Sequence, residues 1–182
     1  MVRAQGFLAG ARRVDSPNFD ERPAGTAVTL IVLHAISLPP GVFGGDAIER
    51  LFTNRLDPGA HPAFGALEGL RVSAHFLLRR DGELVQFVPV DRRAWHAGVS
   101  CWRGRTQCND FSIGVEFEGD ERSDYCAAQY DGFAVLAAQL RRRFPVRDVA
   151  GHQDLAPQRK SDPGAHFDWL RVLRALARGD AF

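Results

Sequence analysis

The feature that most constrains the fold is the segment from Thr26 to His34 (TAVTLIVLH), which is apolar on both alternating faces. A strand with two apolar faces has no side to turn toward water, so it must lie inside a sheet that other layers cover. The segment therefore predicts an α/β architecture with a buried central strand.

Three other segments predict strands around it. Ser73 to Val88 contains two apolar runs that flank Asp81-Gly82, a pair that tolerates the positive φ of a tight hairpin turn. Phe111 to Glu118 (FSIGVEFE) alternates apolar and polar side chains, as in a strand with two different faces. Val146 to His152 predicts a further short strand.

Three segments predict helices. Asp46 to Leu56 resembles a short helix, whereas Ala127 to Phe144 and Phe167 to Arg178 each place apolar side chains on one stripe. The first stripe consists of Tyr130, Phe133, Ala137 and Leu140. The second consists of Phe167, Leu170, Leu173 and Leu176, with Arg171, Arg174 and Arg178 facing solvent and Gly179 as the C-cap.

Together these elements predict a mixed central sheet of about five strands flanked by helices, in a single domain over residues 1–182. Residues 1–24, rich in Arg, Asp and Pro, predict an extended N-terminal lead-in. The Gly, Pro and Ala content between Asp57 and Leu70 indicates a long surface loop, and residues 91–110 predict irregular structure.

Composition argues against several classes of partner. The formal net charge is +1, so no overall charge favours nucleic acid or an anionic membrane. No apolar run approaches the roughly 18 residues that a membrane span needs, and the N-terminal apolar stretch is too short for a signal-peptide core. Cys101, Cys108 and Cys126 lack C-x-x-C spacing and indicate free thiols in a reducing compartment. We therefore expect a soluble, cytoplasmic monomer.

Histidines at strand ends suggest a metal site. His34 and His152 each stand at the carboxyl end of a predicted strand, the edge where ligands gather in open α/β sheets. Asp162 follows His152 across a segment rich in proline and charge that can fold back on itself. Two imidazoles and one carboxylate are a common ligand set for catalytic zinc, with a fourth position left for water.

The residues alone leave other interpretations open. A histidine at a strand end is more often a hydrogen-bonded structural residue than a ligand, and Asp162 before Pro163 is also typical of a turn or a helix N-cap. His61, His75 and His96 are equally eligible as ligands on spacing alone.

A compositional detail points to Lys160. The chain has 23 lysine and arginine residues, and Lys160 is the single lysine among them. Arginine serves almost any surface role that lysine can, so a lone lysine in this background can mark a site that requires a compact ammonium. An ordinary surface position is the other interpretation.

Four motifs decide between these interpretations by resemblance. The strings LHAISLPPGVFGG, RRDGELVQFVPVDRRAWHAGVS, CNDFSIGVEFEG and GHQDLAPQRKSDPG resemble the cytoplasmic anhydro-N-acetylmuramyl-L-alanine amidases of cell-wall recycling, the AmpD type. These enzymes belong to the wider family of zinc N-acetylmuramoyl-L-alanine amidases, which includes phage lysozyme-like amidases and peptidoglycan recognition proteins. The resemblance covers roughly residues 25–175 and implies the fold of that family.

Carried over position by position, the resemblance implies that His34, His152 and Asp162 bind Zn²⁺. It also implies that Glu116 is the general base and that Lys160 stabilises the transition state, roles that suit a carboxylate and an ammonium. The phage and recognition-protein branches have a cysteine as third ligand, so the aspartate here indicates the recycling branch. The three cysteines of this chain lie away from the GHQDLAPQRKSDPG segment and are expected to be bystanders.

Glu118 shares the polar strand face of Glu116, together with Ser112 and Gly114, and a pair of carboxylates raises the alternative of a glycosidase. Residues i and i+2 of one strand point the same way and cannot flank a bond from opposite sides, which disfavours that alternative. We expect Glu118 to be a solvated edge residue or a partner of the site.

Five residues are candidates for substrate binding: Arg71, Trp95, His96, Arg105 and Asn109. Trp95, His96 and Asn109 lie in segments that resemble the site-lining motifs of the family. The two arginines can pair with carboxylates of a muramyl stem peptide, although a solvated surface position is the alternative for each. Ala35 is a departure, because in the family an asparagine often follows the first zinc histidine.

The combined prediction is a zinc amidase that cleaves the bond between the lactyl group of anhydro-N-acetylmuramic acid and L-alanine in muropeptides. Its partner is this small-molecule substrate. A lytic amidase on intact peptidoglycan is one alternative, and a binding module that recognises muropeptides without cleaving them is another. A binding module would be expected to lack a ligand, the base or the lysine, and all five are present.

Overall fold

The structure is a computed structural model, and it describes residues 6–178. Within that range the strands are β1 (Arg12–Arg13), β2 (Phe19–Asp20), β3 (Leu30–Ile36), β4 (Phe76–Leu78), β5 (Leu84–Gln86), β6 (Arg93–Ala94), β7 (Cys101–Trp102), β8 (Arg105–Thr106), β9 (Ser112–Glu118) and β10 (Asp148–Gly151). The α-helices are α1 (Ala47–Phe52), α2 (Ala127–Arg143), α3 (His152–Leu155) and α4 (Trp169–Arg178), with 3-10 turns at Pro62–Leu67 and Cys108–Phe111.

The central sheet has six strands in the order β1-β5-β4-β9-β3-β10 and is mostly parallel. The predicted buried strand is confirmed: β3 pairs with β9 on one side and β10 on the other, and Leu30 to His34 are all buried. β4 and β5 form the predicted antiparallel hairpin, with Gly82 at φ +91° in its turn. The α/β class predicted from the sequence is therefore confirmed.

The N-terminal lead-in contains two short strands, β1 and β2, that the sequence did not predict. β1 adds a parallel edge strand to β5, so the central sheet has six strands rather than about five. β2 pairs antiparallel with β6 in a separate two-stranded sheet. The stretch 91–110, expected to be irregular, contains β6 and the β7-β8 hairpin. Strands of two residues are too short for alternation to be recognised, which is why the sequence pattern missed them.

Helices α2 and α4 cover one face of the sheet. The predicted stripe of α2 is confirmed, since Tyr130, Phe133, Ala137 and Leu140 are all buried. An aromatic cluster forms the centre of this layer, where Phe117 lies 5.0–5.9 Å, between ring centroids, from Tyr125, Tyr130, Phe133 and Phe167. Over residues 6–178, none of the helices is long and apolar enough to span a membrane.

The predicted apolar stripe of the last helix is wrong in its phase. Leu170 and Leu173 are 63% and 56% exposed, whereas Val172 is fully buried. Phe167 and Leu176 of the predicted stripe do pack on the core, but Phe167 lies before the helix, which begins at Trp169, and Val172 is the buried helical position that the prediction lacked. The solvent-facing positions of Arg171 and Arg174 are confirmed, whereas the side chain of Arg178 and the C-cap at Gly179 lie outside the described residues.

The opposite face of the sheet carries two separate apolar clusters. One surrounds α1 and includes Phe52, Leu77 and Phe87. The other includes Leu30, Val32, Cys108, Phe111 and Leu155. His34, His75 and Glu116 are buried polar residues of the same face, so this layer of the fold contains both apolar packing and ionisable groups.

Two adjacent residues of α4 test the observed phase of the helix. Val172→Ala should lower the free energy of unfolding by about 2 kcal/mol, because it removes two buried methyl groups and leaves a cavity. Leu173→Ala should change it by no more than about 0.5 kcal/mol, because Leu173 is exposed. Urea denaturation of both variants measures the difference, and a larger loss in Leu173→Ala would contradict the observed packing.

Candidate metal centre and active site

Strand register places the predicted first ligand beside the predicted base. β3 and β9 run parallel, and His34 is paired with Glu116. Paired residues of neighbouring parallel strands point to the same face, and the strands are ~4.8 Å apart. β10 follows β3 as far as Gly151 opposite Leu33, so His152 comes at the next position, level with His34. Three residues far apart in sequence therefore meet near the carboxyl end of the sheet.

Three donor atoms converge there. The Nδ1 atoms of His34 and His152 are 3.0 Å apart, and each lies 3.2 Å from Oδ2 of Asp162. Neighbouring ligand atoms around a tetrahedral zinc ion, with bonds of about 2.0–2.1 Å, are roughly 3.3–3.4 Å apart. Within the described residues, the histidine, cysteine and acidic side chains that lie close enough together to hold a metal ion are those of His34, His152 and Asp162. The spacing of the donors thus suits a metal of this size.

The chemistry of the donors also suits a cation. His152 donates its Nε2 hydrogen to the carbonyl oxygen of Ala97 (3.1 Å), which leaves the lone pair of Nδ1 directed at the cluster. Burial lowers the pKa of His34 to about 4, so its imidazole is neutral at pH 7. Electron-rich atoms so close together repel one another, and a positive ion among them would remove that repulsion.

The loop that carries Lys160 and Asp162 is held from several sides. Arg159 donates to the carbonyl oxygens of Ala97 (3.3 Å) and Val99 (2.6 Å) on the facing segment. Ser161 donates from its hydroxyl to Glu121, and the hydroxyl of Tyr125 donates to the carbonyl oxygen of Pro163 (2.8 Å). These bonds fix the position of the predicted third ligand, Asp162, although it lies outside regular structure. Lys160 itself is exposed.

Glu116 has the environment of a strong carboxylate base. Its side chain is buried, and Oε2 has no hydrogen-bond partner among the described residues. Burial and, secondarily, the negative charge of Asp162 raise the pKa of Glu116 well above its usual value, while the charge of Lys160 acts in the opposite direction. A carboxylate with a raised pKa binds a proton more readily, which is what a general base requires.

Glu118 is not the solvated edge residue that was one of its two expected roles. It is 2% exposed, and its Oε1 accepts hydrogen bonds from Arg79 (3.0 Å) and from the backbone N–H of Gly44 (2.7 Å). Arg79 also pairs with Glu49 of α1. Glu118 therefore holds the loop before α1 against the sheet, and its ion pair with Arg79 disfavours the glycosidase alternative in which Glu118 is the second carboxylate.

His96 and Asn109 lie beside the cluster. Nδ1 of His96 is 3.0 Å from Nε2 of His34. Oδ1 of Asn109 accepts the backbone N–H groups of His96 (3.2 Å) and Ala97 (2.8 Å), so its amide oxygen holds the segment next to the ligands. Trp95 is half-buried, and its side chain hydrogen-bonds with Asp20.

The two arginines predicted to bind substrate lie elsewhere. The guanidinium of Arg105 stacks on the ring of Phe111, 3.7 Å from its centroid, and donates to Oγ1 of Thr29 (3.3 Å). Thr29 directly precedes β3, whereas His34 lies five residues further on, about 16 Å along the strand. Arg71 is exposed beside a cavity of about 230 Å³ lined by Leu51, Phe64 and Leu67. Within residues 6–178 neither arginine forms a hydrogen bond or ion pair with His34, His152 or Asp162, and their role in binding substrate stays a prediction.

His75 is a buried histidine to which the sequence assigned no role. Its Nδ1 accepts the backbone N–H of Gly114 (3.0 Å), and its Nε2 donates to the carbonyl oxygen of Arg92 (3.0 Å). The guanidinium of Arg22 lies 3.1 Å from Nε2. Burial, and then the charge of Arg22, lowers the pKa of His75 to about 3. His75 thus joins β4, β9 and the segment after β5 as a neutral structural residue.

A cavity of about 450 Å³ opens next to the three-donor cluster of His34, His152 and Asp162. Its lining includes Ala35, Ser37, Gly41, Asp120 and Arg122, together with the metal-ligand candidate Asp162. The walls come from the segments after β3 and β9, so the cavity lies at the carboxyl edge of the sheet, where the sequence placed the site. Its size and mixture of backbone, hydroxyl and charged groups suit a polar small molecule.

Known amidases are similar to this chain in sequence and in fold. The family model described as N-acetylmuramoyl-L-alanine amidase matches residues 24–165. The chain is 55% identical over 173 residues to the 1,6-anhydro-N-acetylmuramyl-L-alanine amidase AmpD of Escherichia coli strain K12, with 94% of each chain covered.

Two solved structures extend the comparison. A crystal structure of a selenomethionine AmpD derivative superposes with a TM-score of 0.91 at 52% identity, covering 97% of this chain and 99% of the other. AmiD of Escherichia coli, in complex with the substrate anhydro-N-acetylmuramic acid-L-Ala-D-gamma-Glu-L-Lys, gives a TM-score of 0.60 at 28% identity, covering 87% of this chain and 65% of the other.

The buried neutral state of His75 predicts acid sensitivity. An unfolded histidine titrates near pH 6.5, so between about pH 6.5 and pH 3 the unfolded chain binds more protons at this position and stability falls as pH falls. His75→Gln, which keeps one acceptor and one donor, should reduce the slope of unfolding free energy against pH by up to about 1.4 kcal/mol per pH unit. Urea denaturation between pH 7 and 5 with a chelator present measures both slopes, and equal slopes would contradict this account of His75.

Proposed function

The chain belongs to the N-acetylmuramoyl-L-alanine amidase family, and we propose that it hydrolyses the amide bond between the lactyl group of anhydro-N-acetylmuramic acid and L-alanine in muropeptides. The observation that carries this proposal is the three-donor cluster beside the buried Glu116, in a chain that matches an AmpD enzyme over nearly its whole length. We further propose that the enzyme is a single-domain monomer that works in the cytoplasm, in recycling of cell-wall fragments.

The proposed metal is Zn²⁺, held by Nδ1 of His34, Nδ1 of His152 and the carboxylate of Asp162. Two imidazoles and one carboxylate are a known ligand set of catalytic zinc, and the donor spacing supports it. When bound there, zinc activates water and polarises a carbonyl group.

Glu116 is proposed to handle the proton of the reaction. Its carboxylate accepts a proton from the attacking water as the new C–O bond forms at the lactyl carbonyl carbon. The carboxyl group then returns that proton to the amine nitrogen of L-alanine as the C–N bond breaks. Its burial supports the first half of this transfer, because a buried carboxylate with a raised pKa binds a proton more readily.

Lys160 is proposed to stabilise the negative charge that builds on the carbonyl oxygen. Its loop is tied down on both sides by Arg159 and Ser161, which limits the positions its ammonium can take. Its charge acts on both His34 and Glu116, which supports a place near the reacting atoms. We propose that the muropeptide occupies the neighbouring cavity that Ser37 and Asp162 line.

A lytic amidase that acts on intact peptidoglycan is the second candidate, and the family membership favours it over unrelated activities. A muropeptide-binding module without activity is the third. The two enzyme candidates differ in whether a small anhydro-muropeptide or a polymer is the better substrate, and the binding module differs from both in having no turnover.

The proposed function predicts that the purified protein releases peptide from an anhydro-muropeptide and that a zinc chelator abolishes the release. Incubation with anhydro-muropeptide and with intact sacculi, each with and without chelator, separates the candidates by chromatography of the products. Restoration by added zinc is the control for chelator damage. Efficient sacculus digestion would favour the lytic amidase, hydrolysis of neither by zinc-loaded protein would favour the binding module, and chelator-insensitive hydrolysis would remove the metal mechanism.

The role of Glu116 predicts that Glu116→Gln lowers kcat by roughly 10²–10⁴-fold, because the amide cannot accept the proton. Zinc content measured by atomic absorption should stay at the wild-type level. Glu118→Gln is a matched control on the same strand face: it weakens the pairing with Arg79 and should lower stability while retaining most of kcat. Loss of turnover in Glu118→Gln equal to that in Glu116→Gln would argue against the assignment.

The role of Lys160 predicts that Lys160→Ala lowers kcat by about 10²–10³-fold, the usual effect of losing one donor to a developing oxyanion. Lys160→Arg should remain well below the wild type, because a planar guanidinium does not place its charge as a compact ammonium does. Steady-state kinetics on the anhydro-muropeptide measures both. Wild-type turnover in Lys160→Arg would show that any cation suffices at this position.

A further inference from the structure

We propose that Ser112 and His96 form a hydrogen-bond relay that fixes the tautomer of His34 and so directs its Nδ1 lone pair at the metal. Both would be positioning residues that act through His34 rather than on the substrate. The inference rests on the proposed function only in taking the ion to be zinc.

The relay begins at Ser112, which is fully buried at the start of β9. Its hydroxyl donates to the carbonyl oxygen of Cys108 at 2.6 Å. A hydroxyl has a single hydrogen, so toward Nε2 of His96, 3.2 Å away, Oγ of Ser112 can only accept. Nε2 of His96 must therefore carry a hydrogen.

The second step passes from His96 to His34. A neutral imidazole has one N–H and one lone pair, so with Nε2 protonated, Nδ1 of His96 is an acceptor. Nδ1 of His96 lies 3.0 Å from Nε2 of His34, which must then be the donor. With its hydrogen on Nε2, His34 presents the lone pair of Nδ1 to His152 and Asp162.

The relay opposes a competing arrangement. Nδ1 of His34 lies 3.2 Å from Oδ2 of Asp162, so in the metal-free protein a hydrogen on Nδ1 would form a hydrogen bond with that carboxylate. This tautomer is locally favourable, but its N–H occupies the place where the metal would be bound. By requiring the hydrogen on Nε2, Ser112 and His96 keep the ligand atom available.

Two features of the chain place the ring of His96. A Cβ at Gly114 would lie 2.5 Å from Cγ of His96, so the ring packs against the strand where a side chain is missing. Asn109 accepts the backbone N–H groups of both His96 and Ala97. Ala97 in turn accepts from Nε2 of His152, so two consecutive residues orient both histidine ligands.

Two variants test the relay. Ser112→Ala removes the acceptor that holds the hydrogen on Nε2 of His96, and His96→Phe keeps a ring over Gly114 without its nitrogens. Each should weaken zinc affinity by about 10–100-fold, the usual effect of losing a partner of a metal ligand. Competition with a chromophoric chelator measures the affinity.

The tautomer itself is read in the metal-free protein by ¹⁵N NMR of the imidazole nitrogens. The wild type should show His34 with its hydrogen on Nε2, and both variants should show a population with the hydrogen on Nδ1. This readout involves no substrate and no metal, so it decides the inference even if the proposed amidase activity fails.

Ser100→Ala is the matched control. Ser100 is also buried and accepts the N–H of Cys108 (3.2 Å), but among the described residues it has no hydrogen bond with a histidine. It should lower stability much as Ser112→Ala does while leaving zinc affinity and the His34 tautomer unchanged. Wild-type zinc affinity in folded Ser112→Ala or His96→Phe, an Nδ1 hydrogen on His34 in the wild type, or an equal loss of affinity in Ser100→Ala would overturn the proposal.

Discussion

The parallel pairing of β3 with β9 is the interaction on which both the core and the site depend. Its register sets His34 beside Glu116 on one face of the sheet and, one residue earlier, Leu33 beside Val115 on the other. Because side chains alternate along a strand, a slip of one residue would turn Glu116 into the helical layer and bring Phe117 out of it. The aromatic cluster around Phe117 therefore keeps the proposed base beside the proposed first ligand, so the packing that stabilises the fold also aligns the two residues of the site.

A site built on a buried sheet face has to satisfy many polar groups without water. His75 does so with two backbone partners, and His152 does so with the carbonyl oxygen of Ala97. Glu118 is paired with Arg79. Glu116 is an exception, since Oε2 is buried without a partner among the described residues, as are Nε of Arg22 and Nη1 of Arg80. An unsatisfied carboxylate oxygen costs stability, and the cost falls on the one carboxylate that is proposed to exchange a proton with the substrate.

The same constraint explains why the residues around the ligands are specific in type. Only a position without a side chain lets the His96 ring approach β9, and Gly114 is that position. Only a side chain with a free acceptor can hold the N–H groups of His96 and Ala97 together, and Asn109 supplies it. These residues belong to the motifs by which the family was recognised. Part of the family resemblance therefore comes from residues that hold the proposed ligands in position.

Alternation and helical periodicity were enough to predict the α/β class, the hairpin at Gly82, the central strand and the stripe of α2. These features show in the sequence because the buried side chains recur at a regular spacing along each of these segments. Sequence periodicity did not predict two-residue strands such as β1. It also gave the wrong phase for α4, where the helix begins at Trp169 and Val172 rather than Leu173 is buried. Burial of Glu118 was also missed, because its partner Arg79 follows β4 and lies far from it in the sequence.

By itself, then, the sequence determined the residue types of the site: the histidines at strand ends, the single lysine, the polar strand face that carries Glu116, and the motifs that mark the family. The family resemblance implied that His34, His152 and Asp162 act together, but only the tertiary structure showed their atoms within 3.0–3.2 Å of one another. It alone also decided that Arg105 contacts Thr29 before β3 and that His96 hydrogen-bonds with His34. The physical reason is that these relations depend on the register between strands and on the path of the loops. Register and loop path are set by long-range packing and hydrogen bonding, which no local pattern contains.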